Sequence, residues 1–169
     1  YNMLINDDAQ LSFCLDLEID PLWCSWFSGL IDGEGSFIVS VSQNEHWRGC
    51  YVALIIEMRD DDAETLIEIQ RTLKCGNISY RQRKNRLVKS NGQVTWRVQN
   101  HGDTRFILLP LLDRYPLRSR KRYDYILWRD AVLIMGKYKN TESDMRYTEL
   151  ARIRDTLSAI RKYKNDRKH

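Results

Sequence analysis

Apolar residues recur at three- and four-residue steps in the segment that follows Asp20. A carboxylate caps the first turn of a helix well and proline fits its first position, so Asp20 and Pro21 predict a helix start. The glycines from Gly33 are expected to end this helix, whose apolar positions are Leu22, Trp23, Trp26, Phe27, Leu30 and Ile31. The same spacing predicts further helices at about 62–74, 103–114, 119–136 and 145–163.

Other segments alternate apolar and polar residues, which is typical of half-buried strands. This pattern predicts strands within 36–43, 50–60, 77–84 and 93–99, with Asn91-Gly92 as a hairpin turn between the last two. The order of helix, two strands, helix, two strands and further helices predicts an α+β domain around an antiparallel sheet. We expect residues 1–20 to form an N-terminal extension and residues 21–169 to form the single domain.

Composition and cysteine content limit the class of protein. A chain of 169 residues that is 43% hydrophobic is large enough for one domain with its own core. The four cysteines are far apart and have no zinc-site spacing, so free thiols in a reducing compartment are expected. No apolar run reaches transmembrane length and the acidic start does not resemble a signal peptide, which predicts a soluble intracellular protein without a membrane partner.

The net charge of +4 is unevenly distributed along the chain. Residues 1–20 carry five acids and no base, whereas 81–97 carry six bases and 114–122 carry five bases, both without an acid. Patches of one sign suggest a polyanionic partner. A merely solvated surface would usually mix both signs, so the charge pattern favours nucleic acid.

The predicted strands have one apolar face, which must pack on the helices, and one polar face. Arg, Gln, Ser and Thr side chains hydrogen-bond to base edges and phosphates, and a β-ribbon fits the major groove of DNA. Glu57 is the main acid on this face, which leaves a solvated surface as the alternative interpretation. The residues expected to contact DNA are Ser40, Ser42, Arg59, Ser79, Arg81, Arg83, Gln93, Thr95, Arg97 and Gln99.

Small residues at four-residue spacing, Ser25, Gly29 and Gly33, form one narrow strip along the first helix. Such a strip lets two helix backbones approach closely, and Trp26 and Leu30 flank it. No other predicted helix of the chain has a matching strip. We therefore expect a homodimer with two-fold symmetry along this helix.

Two carboxylates, Asp32 and Glu34, lie at the C-terminal end of this helix, which already carries partial negative charge. An acid placed there, and doubled by dimer symmetry, needs a compensating cation. Mg²⁺ is a hard ion that takes carboxylate, carbonyl and water oxygens. Glu34 is the candidate ligand, whereas an Asp before Gly more often stabilises a turn, so Asp32 is interpreted mainly as structural.

The segment "FSGLIDGEG", residues 27–35, resembles the signature of the LAGLIDADG homing endonucleases. The order of the predicted elements is also similar, and "LLPLLDRYPLRSRKRYDYILW" resembles the later Tyr-Pro-Leu and basic segment of that family. The resemblance covers roughly residues 22–135. It implies an αββαββα core whose saddle-shaped sheet faces DNA, and a single motif implies a homodimer.

The resemblance also implies roles for particular residues. Glu34, helped by the backbone carbonyl of Gly33, would bind Mg²⁺, with Mn²⁺ as a substitute and Ca²⁺ binding without supporting cleavage. Asp60 matches the family's water-orienting position, with Arg59 as the alternative because the alignment is ambiguous there. Arg120 matches the basic residue near the phosphate, and Lys121 is the close alternative, because lysine could also act as an acid.

The function implied is that of an intron-encoded, site-specific endonuclease. It would bind a long pseudo-palindromic site in double-stranded DNA and hydrolyse one phosphodiester in each strand, leaving short 3′ overhangs. An intron RNA maturase on the same fold, with intron RNA as a partner, is one alternative, and a non-cleaving DNA-binding protein is the other. The resemblance leaves an organelle and a prokaryotic cytoplasm open as locations.

Overall fold

The computed structural model describes residues 19–44, 47–81, 92–138 and 144–162, and within these the side chains of 43, 44, 47 and 48 are not considered. The first half consists of α1 (Pro21–Glu34), β1 (Gly35–Asn44), β2 (Trp47–Arg59), a 3₁₀ turn (Asp60–Asp62) and α2 (Ala63–Leu73). The second half consists of β3 (Asn77–Arg81), β4 (Gln93–Val98), α3 (His101–Arg114, in three segments), α4 (Lys121–Lys137) and α5 (Asp144–Lys162).

This order confirms the predicted α+β arrangement, while parts of the sequence interpretation lie outside the described residues. These parts are residues 1–18 of the expected N-terminal extension, Asn91 of the hairpin signal and the end of the third predicted strand, 82–84. Ile19 is partly buried against the core. The division into an extension and a single domain stays a prediction.

The four strands form one antiparallel sheet in the order β1-β2-β4-β3. β1 and β2 pair from Gly35↔Ile56 to Asn44↔Trp47, and β4 pairs with both β2 and β3. The helices pack on one face, where the predicted apolar strand positions are buried, including Phe37, Val52, Leu54, Ile56, Val94, Trp96 and Val98. The alternation in the sequence therefore identified the buried face of each strand.

Helix α1 begins and ends through local hydrogen bonds and steric limits. The Asp20 carboxylate accepts a hydrogen bond from the Leu22 N–H at 3.0 Å, as the cap prediction requires. The helix continues through Gly33, further than predicted, and ends where Gly35 turns to extended backbone. A Cβ at Gly35 would lie 2.8 Å from the Ile31 carbonyl oxygen. Glycine therefore allows the backbone to pass this carbonyl and to enter β1 directly after the helix.

Helix α3 accommodates a proline by widening. Its segments are His101–Asp103 in α conformation, Thr104–Leu108 in π conformation and Leu109–Arg114 in α conformation. Pro110 cannot donate a backbone hydrogen bond, and its ring crowds the preceding turn. A single wide turn directly before the proline absorbs this conflict without ending the helix.

Helix α5 covers the outer edge of β1. Arg154 donates through Nη1 to the Val41 carbonyl at 3.0 Å, and Arg161 donates through Nη2 to the Phe37 carbonyl at 2.7 Å. The Nε of Arg161 also donates to Asp124 on α4 at 3.0 Å. An edge strand exposes unpaired backbone groups that invite other strands. These two arginines occupy two such carbonyls, so α5 protects the edge of the sheet.

Two tryptophans are fully buried in the core but differ in their hydrogen bonding. The Trp96 Nε1 donates to the Cys75 carbonyl at 3.0 Å, whereas the Trp128 Nε1 has no hydrogen-bond partner among the described residues. Trp96 also explains Gly76, which has a positive φ of 81° and whose added Cβ would lie 2.4 Å from the indole nitrogen. Trp96 therefore fixes the turn between α2 and β3.

This difference in hydrogen bonding predicts that Trp→Phe lowers the free energy of unfolding by different amounts at the two positions. Both Trp→Phe changes remove a similar volume, but Trp96→Phe also leaves the Cys75 carbonyl without its donor. We expect Trp96→Phe to reduce the free energy of unfolding by about 1–2 kcal/mol more than Trp128→Phe does. Urea unfolding of both variants measures this difference, and equal losses would contradict the role given to the Trp96 hydrogen bond.

Candidate active site and nucleic-acid interface

The C-terminal end of α1 meets the N-terminal end of α4. Asp32 accepts hydrogen bonds from the Arg118 N–H at 2.7 Å, from the Ser119 N–H at 3.1 Å and from the Ser119 hydroxyl at 2.8 Å. Partial burial by itself would raise the pKa of Asp32, but these hydrogen bonds outweigh it and hold the pKa below 3.8. These contacts agree with the structural role expected for Asp32.

Lys121 closes the other side of this junction. Its Nζ donates to the carbonyls of Ile31 and Gly33, at 3.0 Å each. The last carbonyls of a helix lack partners within the helix, and a cation there is favoured by the helix dipole. Lys121 thus supplies part of the positive charge that the sequence argument assigned entirely to a metal ion. It also binds the carbonyl of Gly33 that was expected to help hold that ion.

Glu34 is the last residue of α1 and is exposed. Glu34 and the Gly33 carbonyl are hard oxygen donors, which suit Mg²⁺. Among the residues that the structure describes, no group of three or more His, Cys, Asp or Glu side chains could hold a metal ion. The described part of one chain therefore offers at most Glu34 and the Gly33 carbonyl to an ion, and the metal-binding role of both stays a prediction.

The two candidates for orienting water have contacts of their own. The Asp60 carboxylate accepts from the Gly92 N–H at 3.0 Å, and the Asp60 N–H donates to the Gly92 carbonyl at 3.1 Å. Arg59 forms a salt bridge with Asp61. Asp60 thus links the end of β2 to Gly92, directly before β4. The charge of Arg59 is paired with that of Asp61. The catalytic roles of both stay predictions.

Arg120 lies at the cap position of α4 with an exposed side chain. Arg118 and Arg122 are also exposed around the same helix start. The junction therefore brings the basic segment of the sequence beside the carboxyl end of α1. Of the four predicted catalytic residues, Glu34, Arg120 and Lys121 belong to this junction, whereas the hydrogen bonds of Asp60 go to Gly92.

The strand register places the predicted DNA-contacting residues on one face of the sheet, opposite the helices. Directly paired residues share a face, and the pairs Arg59↔Gln93, Arg81↔Gln93 and Ser79↔Thr95 join three strands. Arg97, Ser40 and Ser42 have the same orientation. Gln99 follows the end of β4, and Arg83 lies outside the described residues.

Sequence reasoning missed three members of this polar face, Tyr51, Asn77 and Ile38. Their register partners Ser40, Arg97 and Ala53 identify their orientation. The signal was present, since each has the same strand parity as a neighbour that was chosen. Glu57, expected as the main acid here, accepts a hydrogen bond from the Gln93 side chain at 2.6 Å.

The strip of small residues on α1 points away from the chain's own core. Ser25, Gly29 and Gly33 are exposed, and a Cβ built on either glycine meets nothing within 4 Å. Trp26 keeps 42% of its surface exposed. The opposite side of the helix is buried through Cys24, Phe27, Ser28 and Ile31. No described part of the chain therefore covers the strip, and the predicted helix pair stays a prediction.

The described residues also bear on the cysteines and on membrane-spanning character. Cys50 and Cys75 are free thiols, Cys24 and Cys75 are buried, and Cys14 lies outside the described residues. Burial raises the pKa of Cys75 to about 12, so this thiol stays protonated. None of the described helices combines the length and the apolar character needed to cross a membrane.

Comparison with known proteins identifies relatives for most of the chain. The family model described as LAGLIDADG endonuclease matches residues 27–132. The chain is 25% identical to "Uncharacterized mitochondrial protein RF1" of Saccharomyces cerevisiae over 92% of its length and 30% of that protein. It is 26% identical to "Probable intron-encoded endonuclease 2" of Neurospora crassa over 69% of its length and 25% of that protein.

A solved structure confirms the fold. The chain superposes on I-SmaMI bound to an uncleaved DNA target in the presence of calcium ions with a TM-score of 0.66 and 21% identity. The match covers 79% of this chain and 44% of that one. The chain thus spans less than half the length of each of these three proteins.

The Asp32 junction predicts a loss of stability that depends on pH. Asp32→Asn keeps one acceptor but loses the charge and part of the hydrogen bonding, so we expect unfolding free energy to fall by about 1–2 kcal/mol. Because the folded-state pKa of Asp32 is lowered, its contribution is present above pH 4 and disappears as the pH falls through that pKa.

Urea unfolding between about pH 2 and pH 7 measures this contribution. The difference between wild type and Asp32→Asn should shrink toward the acid end. Asp20→Asn is the matched control, because asparagine caps a helix as well as aspartate does and should cost little. A difference that does not change with pH would contradict the charge-based role of Asp32.

Proposed function

This chain belongs to the LAGLIDADG endonuclease family, and we propose that it is a site-specific endonuclease that hydrolyses one phosphodiester in each strand of a DNA target. One observation carries the proposal. Glu34 is exposed directly before β1, beside a basic helix start, and β1 continues into a sheet whose free face presents arginine, glutamine, serine and threonine. A cleaving group and a recognition surface are therefore continuous in the chain.

The polar face would lie in the major groove, where its arginines and amides meet base edges and phosphates. No described helix covers this face, and I-SmaMI, which has the same fold, was observed with a DNA target. The target would be long and pseudo-palindromic if two copies of this face bind side by side. The Neurospora relative's name supports an intron-encoded protein, and the yeast relative's name supports an organellar location.

The divalent ion expected of the family fits the donors that the chain offers. Glu34 and the Gly33 carbonyl would hold Mg²⁺, which when bound polarises the scissile phosphate and activates water. The I-SmaMI complex contained calcium ions, which supports a divalent site in that protein. We expect Mn²⁺ to replace Mg²⁺, and Ca²⁺ to bind without cleavage.

The chain's own residues would orient and stabilise the reacting groups. Arg120 remains charged at any working pH, so it would bind the phosphate and stabilise the charge that develops on it. Lys121 holds the end of α1 by donating to the Gly33 carbonyl, so its ammonium group would lie close to an ion bound at that carbonyl. Asp60 would orient water from the edge of the sheet, with Arg59 as the alternative.

The exposed strip supports a second domain of the same kind, which would also bring a second Glu34 carboxylate to the site. We propose that a second copy packs its α1 strip on the first and brings two Glu34 carboxylates together. Because the chain spans 44% of I-SmaMI, a second half on a longer polypeptide would meet the same strip in the same way. Either arrangement gives one cleavage site for each DNA strand.

Glu34→Gln tests the proposed chemistry. The substitution keeps the size of the side chain but removes the charge that holds the ion, and it relieves repulsion between two copies. We expect DNA binding in Ca²⁺ to be retained or tightened, while cleavage of both strands in Mg²⁺ falls by about 10²-fold or more. Supercoiled DNA carrying the uninterrupted intron insertion site is the substrate, and EDTA should abolish wild-type cleavage.

Glu64→Gln is the matched control, since Glu64 is an exposed glutamate on α2 that has no part in the junction. It should cleave like the wild type. Cleavage by Glu34→Gln at the wild-type rate would remove Glu34 from the metal site. Binding without cleavage by the wild type would favour a DNA-binding protein, and cleavage insensitive to EDTA would contradict the metal.

Gly29→Leu tests the second copy. The leucine has open space in the isolated chain and replaces a poor helix former, so the fold should gain about 0.5–1 kcal/mol. The same side chain would separate two packed α1 helices. We expect sedimentation to show a folded monomer that no longer cleaves both strands.

Ser158→Leu provides the control, because it adds the same side chain at an exposed position of α5. It should leave association and cleavage unchanged. A Gly29→Leu protein that still associates and cleaves would place the interface elsewhere.

A further inference from the structure

The three described arginines of the polar face differ in their surroundings. Arg59 is neutralised by its salt bridge with Asp61, and Arg81 is exposed at the end of β3. Arg97 is half-buried near the middle of the sheet, paired with Ile55 on one side and Asn77 on the other. Its Cζ lies 5.1 Å from the centre of the Tyr51 ring. Only Arg97 among these three combines a fixed position with an unneutralised charge.

The register shows how far the Arg97 side chain extends across the sheet. Arg97 is opposite Ile55, whereas Tyr51 lies four residues back along β2, so the side chain runs over the intervening Ala53. Ala53 is completely buried although it lies on the face that no described helix covers. The Arg97 side chain therefore leans along the sheet toward Tyr51, with its guanidinium over the ring.

The buried part of Arg97 determines which atoms remain for recognition. Its Nε is buried and has no hydrogen-bond partner among the described residues. The remaining donors of the guanidinium are its two terminal groups, Nη1 and Nη2. Two parallel donors of this kind match the O6 and N7 acceptors of guanine in the major groove.

We infer that Tyr51 is a positioning residue that holds Arg97 flat on the sheet for bidentate reading of one guanine in each half-site. The inference rests on the proposed function, because it assumes that this face binds DNA. An unrestrained arginine loses much rotamer freedom when it binds a base. Stacking on Tyr51 already restricts the Arg97 rotamers in the free protein, so less entropy is lost on DNA binding. It would also keep Nη1 and Nη2 directed away from the sheet.

The role is tested by selecting bound duplexes from a randomised double-stranded DNA pool in Ca²⁺ and sequencing them. The wild type should enrich sites with guanine at a defined position. Arg97→Ala should lower that guanine preference about ten- to hundredfold and leave other positions unchanged. Tyr51→Leu should lower the preference at the same position about three- to tenfold. Tyr51→Phe, which keeps the ring, should restore it to near the wild-type level.

Three further measurements separate positioning from a general loss of structure. Thermal melting compares the stability of Tyr51→Leu with that of Tyr51→Phe, and so detects a general loss of structure in the leucine variant. The slope of binding against salt concentration should be the same for Tyr51→Leu and the wild type, since no charge is lost. If Tyr51→Leu does not fold, Arg97→Lys replaces it, because lysine keeps the charge beside an intact ring but cannot form the bidentate pair. Arg97→Lys should then lose the guanine preference.

Each outcome bears on one of the two proposals. Arg71→Ala, an exposed arginine on α2 on the other side of the sheet, should reproduce the wild-type profile. A wild-type profile for Tyr51→Leu, or uniform weakening of all sequences by Arg97→Ala, would overturn the positioning role while leaving DNA binding established. A wild type that enriches no duplex would overturn the proposed function and this inference with it.

Discussion

The arrangement of the site depends on the junction where α4 holds the carboxyl end of α1. Asp32 receives the backbone N–H groups of Arg118 and Ser119, and Lys121 donates back to the carbonyls of Ile31 and Gly33. Groups at two helix ends that would otherwise lack partners thus satisfy one another. Because α1 runs directly into β1 and α4 also packs on the sheet, this junction fixes the helices relative to the strands.

The junction also separates two acids that look alike in the sequence. Asp32 accepts hydrogen bonds from three donors and stabilises the fold, whereas Glu34 is exposed and accepts none from the residues that the structure describes. Lys121 supplies part of the positive charge that the carboxyl end of α1 needs. Glu34 is then available for chemistry, since its substitution should not disturb the packing that holds it in place.

The sheet shows a similar division between stability and recognition. One face is buried by helices, and α5 covers the outer edge with Arg154 and Arg161, so arginines serve the fold there. On the free face, neighbours give each arginine a different state: Arg59 is paired, Arg97 is stacked and Arg81 is exposed. The three arginines would therefore not contribute equally to the proposed DNA recognition.

The sequence by itself determined the elements and their buried faces, because helical and strand periodicity follow directly from local geometry. It also indicated the family, through residues 27–35. Separately, the spacing of Ser25, Gly29 and Gly33 identified the strip of small residues on α1. Only the tertiary structure decided that α1 extends to Glu34, that Lys121 binds the end of that helix and that Asp60 bonds to Gly92. These outcomes depend on contacts between residues 32 to 90 positions apart, as does the seating of Arg97 on Tyr51, 46 positions away. No local pattern encodes such contacts, since the folded chain alone brings those atoms together.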